Sequence, residues 1–527
     1  MPIESQYVQF DLPNKDLWSF MFERGKEKRF FDDHVIYQDV KDNRSHTFSA
    51  VKQLSVAFGN GLRKHFDWRK GDVLSIISPN DIDIAPCTYG ALYVGGVVSP
   101  ANPAYTPSEL GYMLKDSGAK VLLTATALLP TVKEAAKLAN IPFENILVLG
   151  KERDATTKHF LDICDNESRN VRPTLNPNQD LAFLVYSSGT TGLPKGVMLS
   201  HTNIIADVLM IGTGVGQAYD GGKDKILGIL PFYHIYGLTG LVHQPLHRGL
   251  TTFVVSSFDL EVFCRAIQEH KITFAYVSPP VLVHLVNWKR AQDFDFSSLR
   301  MLTSGAAPLT NGLIEKVYKM YGIRPWDEWR ESIGSIGKLF PNMTAKMVGD
   351  DGNEVAVGES GELWLRGPNV FQGYWNRPKE SEEAISRDGY FKTGDVGHVD
   401  AKGNFFITDR LKELIKFNGF QVAPAELEGL LMTHKSVADV AVVGVHDAVK
   451  HTELPRAYIV LVSGIEGTPE IANEIMEWIK SRVAYYKQLR GGIQFVDAIP
   501  KSPTGKILRR VIKDWIAKDA SRRMSKL

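Results

Sequence analysis

Residues 186–197 read YSSGTTGLPKGV and follow directly on the apolar run LAFLV at 181–185. Glycines at 189 and 192 let a backbone approach a ligand closely and turn its N–H groups toward it. The hydroxyls of Ser187, Ser188, Thr190 and Thr191 add donors, and Lys195 adds a point charge. A buried strand with such an ending is built to wrap a polyphosphate, in a strand–loop–helix setting; the bland alternative is a flexible polar loop. The stretch is not a Walker A loop, because Gly189 and Gly192 are followed by Leu193, Pro194, Lys195 and Gly196 rather than by Gly-Lys-Ser/Thr. The chain also lacks a complete G-x-G-x-x-G fingerprint and a G-x-S-x-G nucleophile elbow.

Outward from this loop, between about residues 71 and 322, short apolar runs alternate with helix-period segments. VLSII, AKVLLTAT, ILVLG, LAFLV, KILGIL, TTFVV, ITFAYVS and RMLTSG read as strands. Segments such as LLPTVKEAAKLA, DLEVFCRAIQEH and NGLIEKVYKMY separate them as helices. Continuous Val/Ile/Leu strands between helices are buried on both faces, which predicts α/β architecture with doubly wound parallel subdomains. From about residue 338, GELWLRG, GYFKTGDVG and GNFFITDR predict a β-rich layer reaching 411. A mixed α+β unit over 412–527 follows, with AELEGLLMTH and EIANEIMEWIKSRV as helices and VADVAVVGVHD and RAYIVLV as strands. The expected division is therefore an N-terminal domain over 1–411 and a small C-terminal domain over 412–527.

Composition narrows the ligand. At 527 residues the chain exceeds one hydrophobic core. With 44% hydrophobic and 23% charged residues it is globular. Lys plus Arg (61) nearly cancel Asp plus Glu (60), so no global field argues for nucleic acid, and small molecules become the default ligand. Three cysteines, Cys87, Cys164 and Cys264, lie far apart without C-x-x-C spacing, against a disulfide framework or zinc site. The start, MPIESQYVQFDLPNKD, resembles neither a secretory signal nor a transit peptide. The longest apolar window, IAPCTYGALYVGGVVSP, is too short and too broken to span a bilayer, so no membrane span is expected. The final residues Ser525, Lys526 and Leu527 match the address read by the peroxisomal import receptor, which predicts a peroxisomal location; a solvated basic tail is the alternative.

The loop resembles the phosphate-binding signature of the adenylate-forming superfamily of acyl-CoA synthetases, luciferases and peptide-synthetase adenylation domains. PFYHIYG at Pro231, SGAAPL at Ser304, GELWLRGP at Gly361, YFKTGD at Tyr390, DRLKELIKFNGFQVAPAELE at Asp409 and PKSPTGK at Pro500 follow in the family's order, across nearly the whole chain. Within the superfamily the chain is most similar to 4-coumarate CoA ligases, firefly luciferase and peroxisomal fungal acyl-CoA ligases. The resemblance implies an ATP-dependent ligase acting on an aryl or medium-chain carboxylic acid. The carboxylate attacks the α-phosphate of ATP, with Mg2+ present, to give an acyl adenylate, and the thiol of coenzyme A then displaces AMP. Both steps pass through crowded anions, where each well-placed donor contributes about 3 to 4 kcal/mol.

Residue by residue, the resemblance makes Lys506 the lysine that bridges the carboxylate and α-phosphate. Asp395 becomes the acceptor of the ribose hydroxyls, and Arg410 lies near ribose and phosphate. Lys412 falls at the domain hinge. Lys416 and Gln421 match positions that reach the site in one of two domain orientations. His234 is a candidate catalytic residue and, with Tyr236, Gly305, Ala306 and Ala307, lines the acyl pocket. Read without the resemblance, Lys506 is equally a solvated helix start, Thr-Gly-Asp an ordinary turn, and His234 a satisfied structural histidine.

One motif departs. After SGAAPL and a helix the family continues into a strand ending in a Gln-Gly-Tyr-Gly-x-Thr-Glu type sequence, whose Tyr stacks on adenine and whose Glu helps hold magnesium. Here MYGIR runs straight into PWDEWRESIGSIGK, so about 15 to 20 residues, the usual size of a strand plus loop, are missing between Arg324 and Pro325. Glu328 and Glu331 read as solvated loop acids, and the metal ligand is left unassigned. The alternative function this raises is a catalytically impaired or dead acyl- and nucleotide-binding relative.

Overall fold

The computed structural model describes residues 2–25, 28, 30–167, 171–187, 193–214, 219–305, 309, 311–323, 332–418, 420–447, 452–502 and 505–524. Two six-stranded sheets form the body. The first runs in the order Ile146–Leu149, Ala119–Ala125, Val73–Ile77, Val97–Ala101, Leu181–Ser187, Lys195–Ser200. The second runs Met301–Ser304, Phe274–Val277, Lys225–Gly228, Thr251–Val254, Val35–Asp39, Ser45–Thr47. Each is parallel except for its last pair, which is antiparallel. The mostly parallel pattern follows from strands such as VLSII, buried at all five positions because helices cover both faces.

Between the sheets lies the largest core, including Phe58, Tyr89, Leu123, Phe183 and Leu241. Its helices approach closely at glycine: a Cβ at Gly59, in Phe48–Phe66, would stand 2.6 Å from the carbonyl oxygen of Gly90 in Ile84–Tyr93. Neither the helix Phe48–Phe66 nor the strand Val97–Ala101 is among the elements read from the sequence. The strand lies inside the long apolar window, where hydropathy marks no boundary.

The β-rich layer is a five-stranded antiparallel sheet, ordered Ile3–Glu4, Thr344–Val348, Gly361–Arg366, Phe391–Val399, Phe405–Arg410. The N-terminus supplies an edge strand that the sequence did not announce. Beyond it come the hairpin Ile415–Phe417/Phe420–Val422 and the sheet Val437–Asp447, Thr452–Leu461, Ile493–Phe495. That sheet packs against Pro424–Leu431 and Pro469–Lys480 around a core of its own. Among the described residues no helix is long and apolar enough to cross a membrane.

The departure read from the sequence has a structural counterpart. Met301–Ser304 is the edge strand of the second sheet, and all four of its residues are only half-buried. A right-handed crossover through the next helix, Asn311–Tyr321, would set a following strand beside it. Among the described residues no strand lies there; residues 324–331, with Glu328 and Glu331, are outside them. From Ser332 the chain joins the β layer, where Ile336 N–H donates to the Phe405 carbonyl at 2.8 Å.

Candidate active site

Ser187 and Lys195 face each other as the last paired residues of an antiparallel hairpin, Leu181–Ser187 with Lys195–Ser200. This corrects the strand–loop–helix expectation: the loop joins two strands, and the helix His201–Gly214 starts only after the second. Ser188, Gly189, Thr190, Thr191 and Gly192 lie outside the described residues; Leu193 is exposed.

The hairpin is mounted rigidly. Tyr186 OH donates to the Asp116 carboxylate at 2.8 Å, and Tyr112 OH donates to the Pro194 carbonyl at 3.2 Å. Arg377 reaches both Asp116 (3.0 Å) and Tyr112 OH (3.1 Å), while Trp375 Nε1 donates to the Asp116 carbonyl at 3.0 Å. Residues 372–375 bond along the outer edge, with Trp375 N–H on the Gly196 carbonyl at 2.8 Å. Lys195 Nζ stands 5.3 Å from the Tyr374 ring centre and 4.0 Å from Glu380 Oε1. None of these supporting residues is conspicuous in sequence, because 112, 116 and 377 are far apart and chemically ordinary there.

A second cluster forms in the β layer. Asp395 and Arg410 are opposed across paired strands, with Arg410 Nε 3.0 Å from Asp395 Oδ1. The irregularity in the strand before Asp395 is set by Gly394, at φ +71°, whose N–H donates to Glu362 Oε1 at 2.9 Å. Burial raises the Asp395 pKa, and the charges of Arg410 and Lys506 counter it. Lys506 is lowered, by burial first and then by Arg410, with Glu413 and Asp395 opposing. The structure thus brings Lys506, Asp395 and Arg410 into one neighbourhood, although more than a hundred residues separate Asp395 from Lys506.

Three partners of this cluster, Arg509, Glu413 and Glu428, escaped the sequence reading. Arg509 Nη1 is 2.7 Å from Glu413 Oε2, and Nη2 makes two 2.7 Å contacts with Glu428. They tie the segment after Lys506 to the DRLKE turn through Glu413 and to the helix Pro424–Leu431 through Glu428. The signal available was the run of charges in DRLKE and KILRR, which by itself reads as solvated surface. Gly505, at φ +83°, sets the Lys506 turn on the body: a Cβ there would lie 2.6 Å from Pro280 Cγ.

The proposed acyl-pocket residues form a third group. Tyr236 OH donates to the Thr303 carbonyl at 3.2 Å, and Gly305 lies on the same ring, where a Cβ would be 3.1 Å from Cε1. His234 caps the short turn Ile235–Gly237, its Nδ1 accepting from Tyr236 N–H at 3.2 Å, and burial lowers its pKa. The imidazole is therefore neutral at pH 7, with a capping role already in hand. Ala306 and Ala307 are outside the described residues.

Lys412, Lys416 and Gln421 are exposed, Lys412 lying between Arg410 and Glu413 in the chain. Lys416 and Gln421 pair across the Ile415–Phe417/Phe420–Val422 hairpin, and Gln421 Nε2 donates to Asp350 Oδ2 at 3.2 Å. Among the described residues no three His, Cys, Asp or Glu side chains gather as a metal site, so no metal ligand is assigned.

Two wound sheets, a β layer with a paired Asp–Arg, and a small unit presenting a half-buried lysine on a glycine turn define an adenylate-forming protein. Residues 22–375 match the AMP-binding enzyme family and residues 426–506 the AMP-binding enzyme C-terminal domain, and the chain belongs to that family. It is 35% identical to "Probable 4-coumarate--CoA ligase 1" of Dictyostelium discoideum, over 97% of both chains. It is 34% identical to the 4-coumarate–CoA ligase of Pinus taeda, over 95% of both. Among solved structures, the anthranilate CoA ligase AuaEII in complex with anthranoyl-AMP shares the fold, with a TM-score of 0.84 at 24% identity, covering 97% of this chain and 99% of that one. The Dictyostelium alignment runs over 545 positions, more than the 527 residues here, so that relative carries residues with no counterpart in this chain.

Proposed function

We propose that this AMP-forming acyl-CoA ligase activates an aryl or medium-chain carboxylic acid with ATP and passes the acyl group to coenzyme A. The observation that carries the reading is the convergence of Lys506 with Asp395 and Arg410, from the small unit and the β layer respectively. Lys506 would neutralise charge shared by the carboxylate and α-phosphate, and Asp395 would accept the ribose hydroxyls. Arg410 holds Asp395 ionised against its burial. The mounted hairpin carrying Lys195 would hold the outer phosphates, where magnesium supplies further charge neutralisation. Lys416 and Gln421 would act on the thioester step after the small unit has turned about Lys412. Pyrophosphate release is to be measured across a panel of carboxylic acids with ATP and Mg2+. Release with one acid class and thioester formation on adding coenzyme A are expected; silence across the panel, from protein that still binds AMP, refutes the reading.

A second reading, a catalytically weak relative, is favoured by the Met301–Ser304 edge, beside which no further strand lies among the described residues, and by the absence of a Tyr-Gly-x-Thr-Glu segment from the sequence. Inserting a Gln-Gly-Tyr-Gly-Leu-Thr-Glu strand and loop after Arg324 is then expected to raise adenylation about 100-fold or more, the scale of one well-placed electrostatic contact. Equal rates would show the segment to be dispensable. For location we propose import into peroxisomes through Ser525, Lys526 and Leu527, which lie outside the described residues, and a role in β-oxidation or peroxisomal biosynthesis. A fluorescent fusion that stays peroxisomal after their deletion would overturn this.

A further inference from the structure

Asp207 lies in the helix His201–Gly214, and the bonds around that helix fix what it meets. Asn203, one turn earlier, donates from Nδ2 to the carbonyls of Pro368 (2.7 Å) and Val370 (2.9 Å), which lays Asn369 along the helix. On the other side Gln244 Nε2 donates to the Val208 carbonyl at 2.6 Å, which fastens the π-helical turn Leu238–His243 against it. The Asp207 carboxylate ends beside Asn369 and Thr239 and within electrostatic reach of the Tyr276 hydroxyl.

Tyr276 connects this point to the acyl pocket. Its hydroxyl is 2.5 Å from that of Tyr219, and its ring lies edge-on to Tyr236 with centres 5.5 Å apart. Gly240 leaves room for it: a Cβ there would be 3.1 Å from Tyr276 Cε2. Gly305 in turn lies on the Tyr236 ring. One aromatic wall therefore runs from Gly305 to Asp207.

Both ends of that wall hold an unsatisfied polar atom: Asn369 Oδ1 beside Asp207 and Ser304 Oγ beside Gly305 are buried without a hydrogen-bond partner. Among the described residues no cation forms a salt bridge with Asp207, and burial pushes its carboxyl up to about 6, with Asn369 and Thr239 drawing it down. It is thus mainly anionic at neutral pH. With Asn369 and Thr239 as its hydrogen-bonding neighbours and no counter-cation, the carboxylate is incompletely compensated for its burial, a cost that a ligand donating to it would offset. Asp207 nevertheless keeps part of its surface accessible.

Resting on the ligase reading and on Gly305 and Tyr236 as pocket residues, we infer that Asp207 closes the far end of the acyl pocket and accepts a hydrogen bond from a hydroxyl or amino group carried by the acid, remote from its reacting carboxylate. A purely apolar pocket end would instead favour the methyl analogue.

The test uses the full chain and two matched series: 3- and 4-substituted benzoic and cinnamic acids bearing hydroxyl, amino or methyl, and medium-chain acids ending in hydroxyl, amino or methyl. Binding is read by titration calorimetry with AMP present, and turnover by pyrophosphate release. A hydrogen bond to a charged acceptor predicts that the best hydroxyl or amino acid binds about 10- to 100-fold more tightly than its methyl partner. In Asp207→Leu the ratio is expected to fall to about one or invert, with Asp207→Asn intermediate. Amino favoured over hydroxyl would indicate charge pairing, and the reverse a neutral donor; either supports the assignment. Equal binding of methyl and donor partners by the unsubstituted chain overturns it, whether or not the variants fold, and so does a preference that survives Asp207→Leu. If methyl acids turn over as fast as their donor partners, the Asp207 assignment fails while the ligase reading stands. If no acid turns over or binds, both fail.

Discussion

Substituting Gly505 by alanine separates the two half-reactions by a contact that can be measured on the structure. Gly505 has φ +83°, and an alanine Cβ there would stand 2.6 Å from Pro280 Cγ and 3.0 Å from Cδ. Pro280 opens the helix Pro279–Asn287, and its ring is too stiff to give way. The left-handed backbone costs alanine about 1 to 2 kcal/mol wherever the small unit sits, so that part cancels between orientations. The collision exists only where the Lys506 turn is docked on the body. Overpacking of this kind costs about 1 to 3 kcal/mol, which is about 5- to 150-fold in the population of the docked state. Adenylation, followed by pyrophosphate exchange, is expected to fall by that factor. Transfer to coenzyme A from a supplied acyl adenylate is expected to stay within about threefold, because under the proposed function that step uses another orientation of the small unit. Pro280→Ala removes the struck ring and is expected to restore most of the loss, as a double-mutant cycle. Equal losses in both half-reactions, or no rescue by Pro280→Ala, would refute the argument.

Lys506→Ala is expected to lower adenylation about 100-fold or more, on the scale of a lost transition-state donor, whereas Lys416→Ala lowers mainly the thioester step. Equal losses in both half-reactions for both variants would undo the separate roles. Gly305→Val, whose added atoms meet a Tyr236 ring held by its bond to the Thr303 carbonyl, is expected to raise KM for aryl acids at least about tenfold with a smaller effect on ATP, checked by steady-state kinetics. For pH, Asp207 binds its proton more tightly folded, at about 6, than its ordinary value of 3.8. The folded state is therefore penalised progressively as pH rises from about 4 to 6 and fully above that, by about 3 kcal/mol from a shift of about two units. The groups facing Asp207 are Asn369, Thr239 and Tyr276, with Arg248 and Tyr219 acting on Tyr276. Asp207→Asn is accordingly expected to raise Tm at pH 7.5 and to leave it nearly unchanged at pH 4; the reverse ordering in thermal melts would contradict it.

By itself the sequence determined the elements whose signal is local. VLSII and LAFLV are strands because a continuous apolar run between helices is stable only when buried on both sides, and each is a strand in the structure. Order and spacing of short motifs likewise carried the family, because each is a stretch of backbone whose composition suits one job. The arrangement around the phosphate loop was not legible: whether LAFLV passes into a helix or turns back as a hairpin depends on Asp116, Tyr112 and Trp375, which reach it from distant segments. In the same way Asp395 and Lys506 acquire shifted acidities only when folding removes water and sets their charges side by side. Asp207 is one more aspartate in the sequence. Only the packing of Asn369, Thr239 and Tyr276 around it makes it a buried carboxylate without a counter-charge among the described residues, because desolvation and proximity belong to the folded chain and have no value along the string.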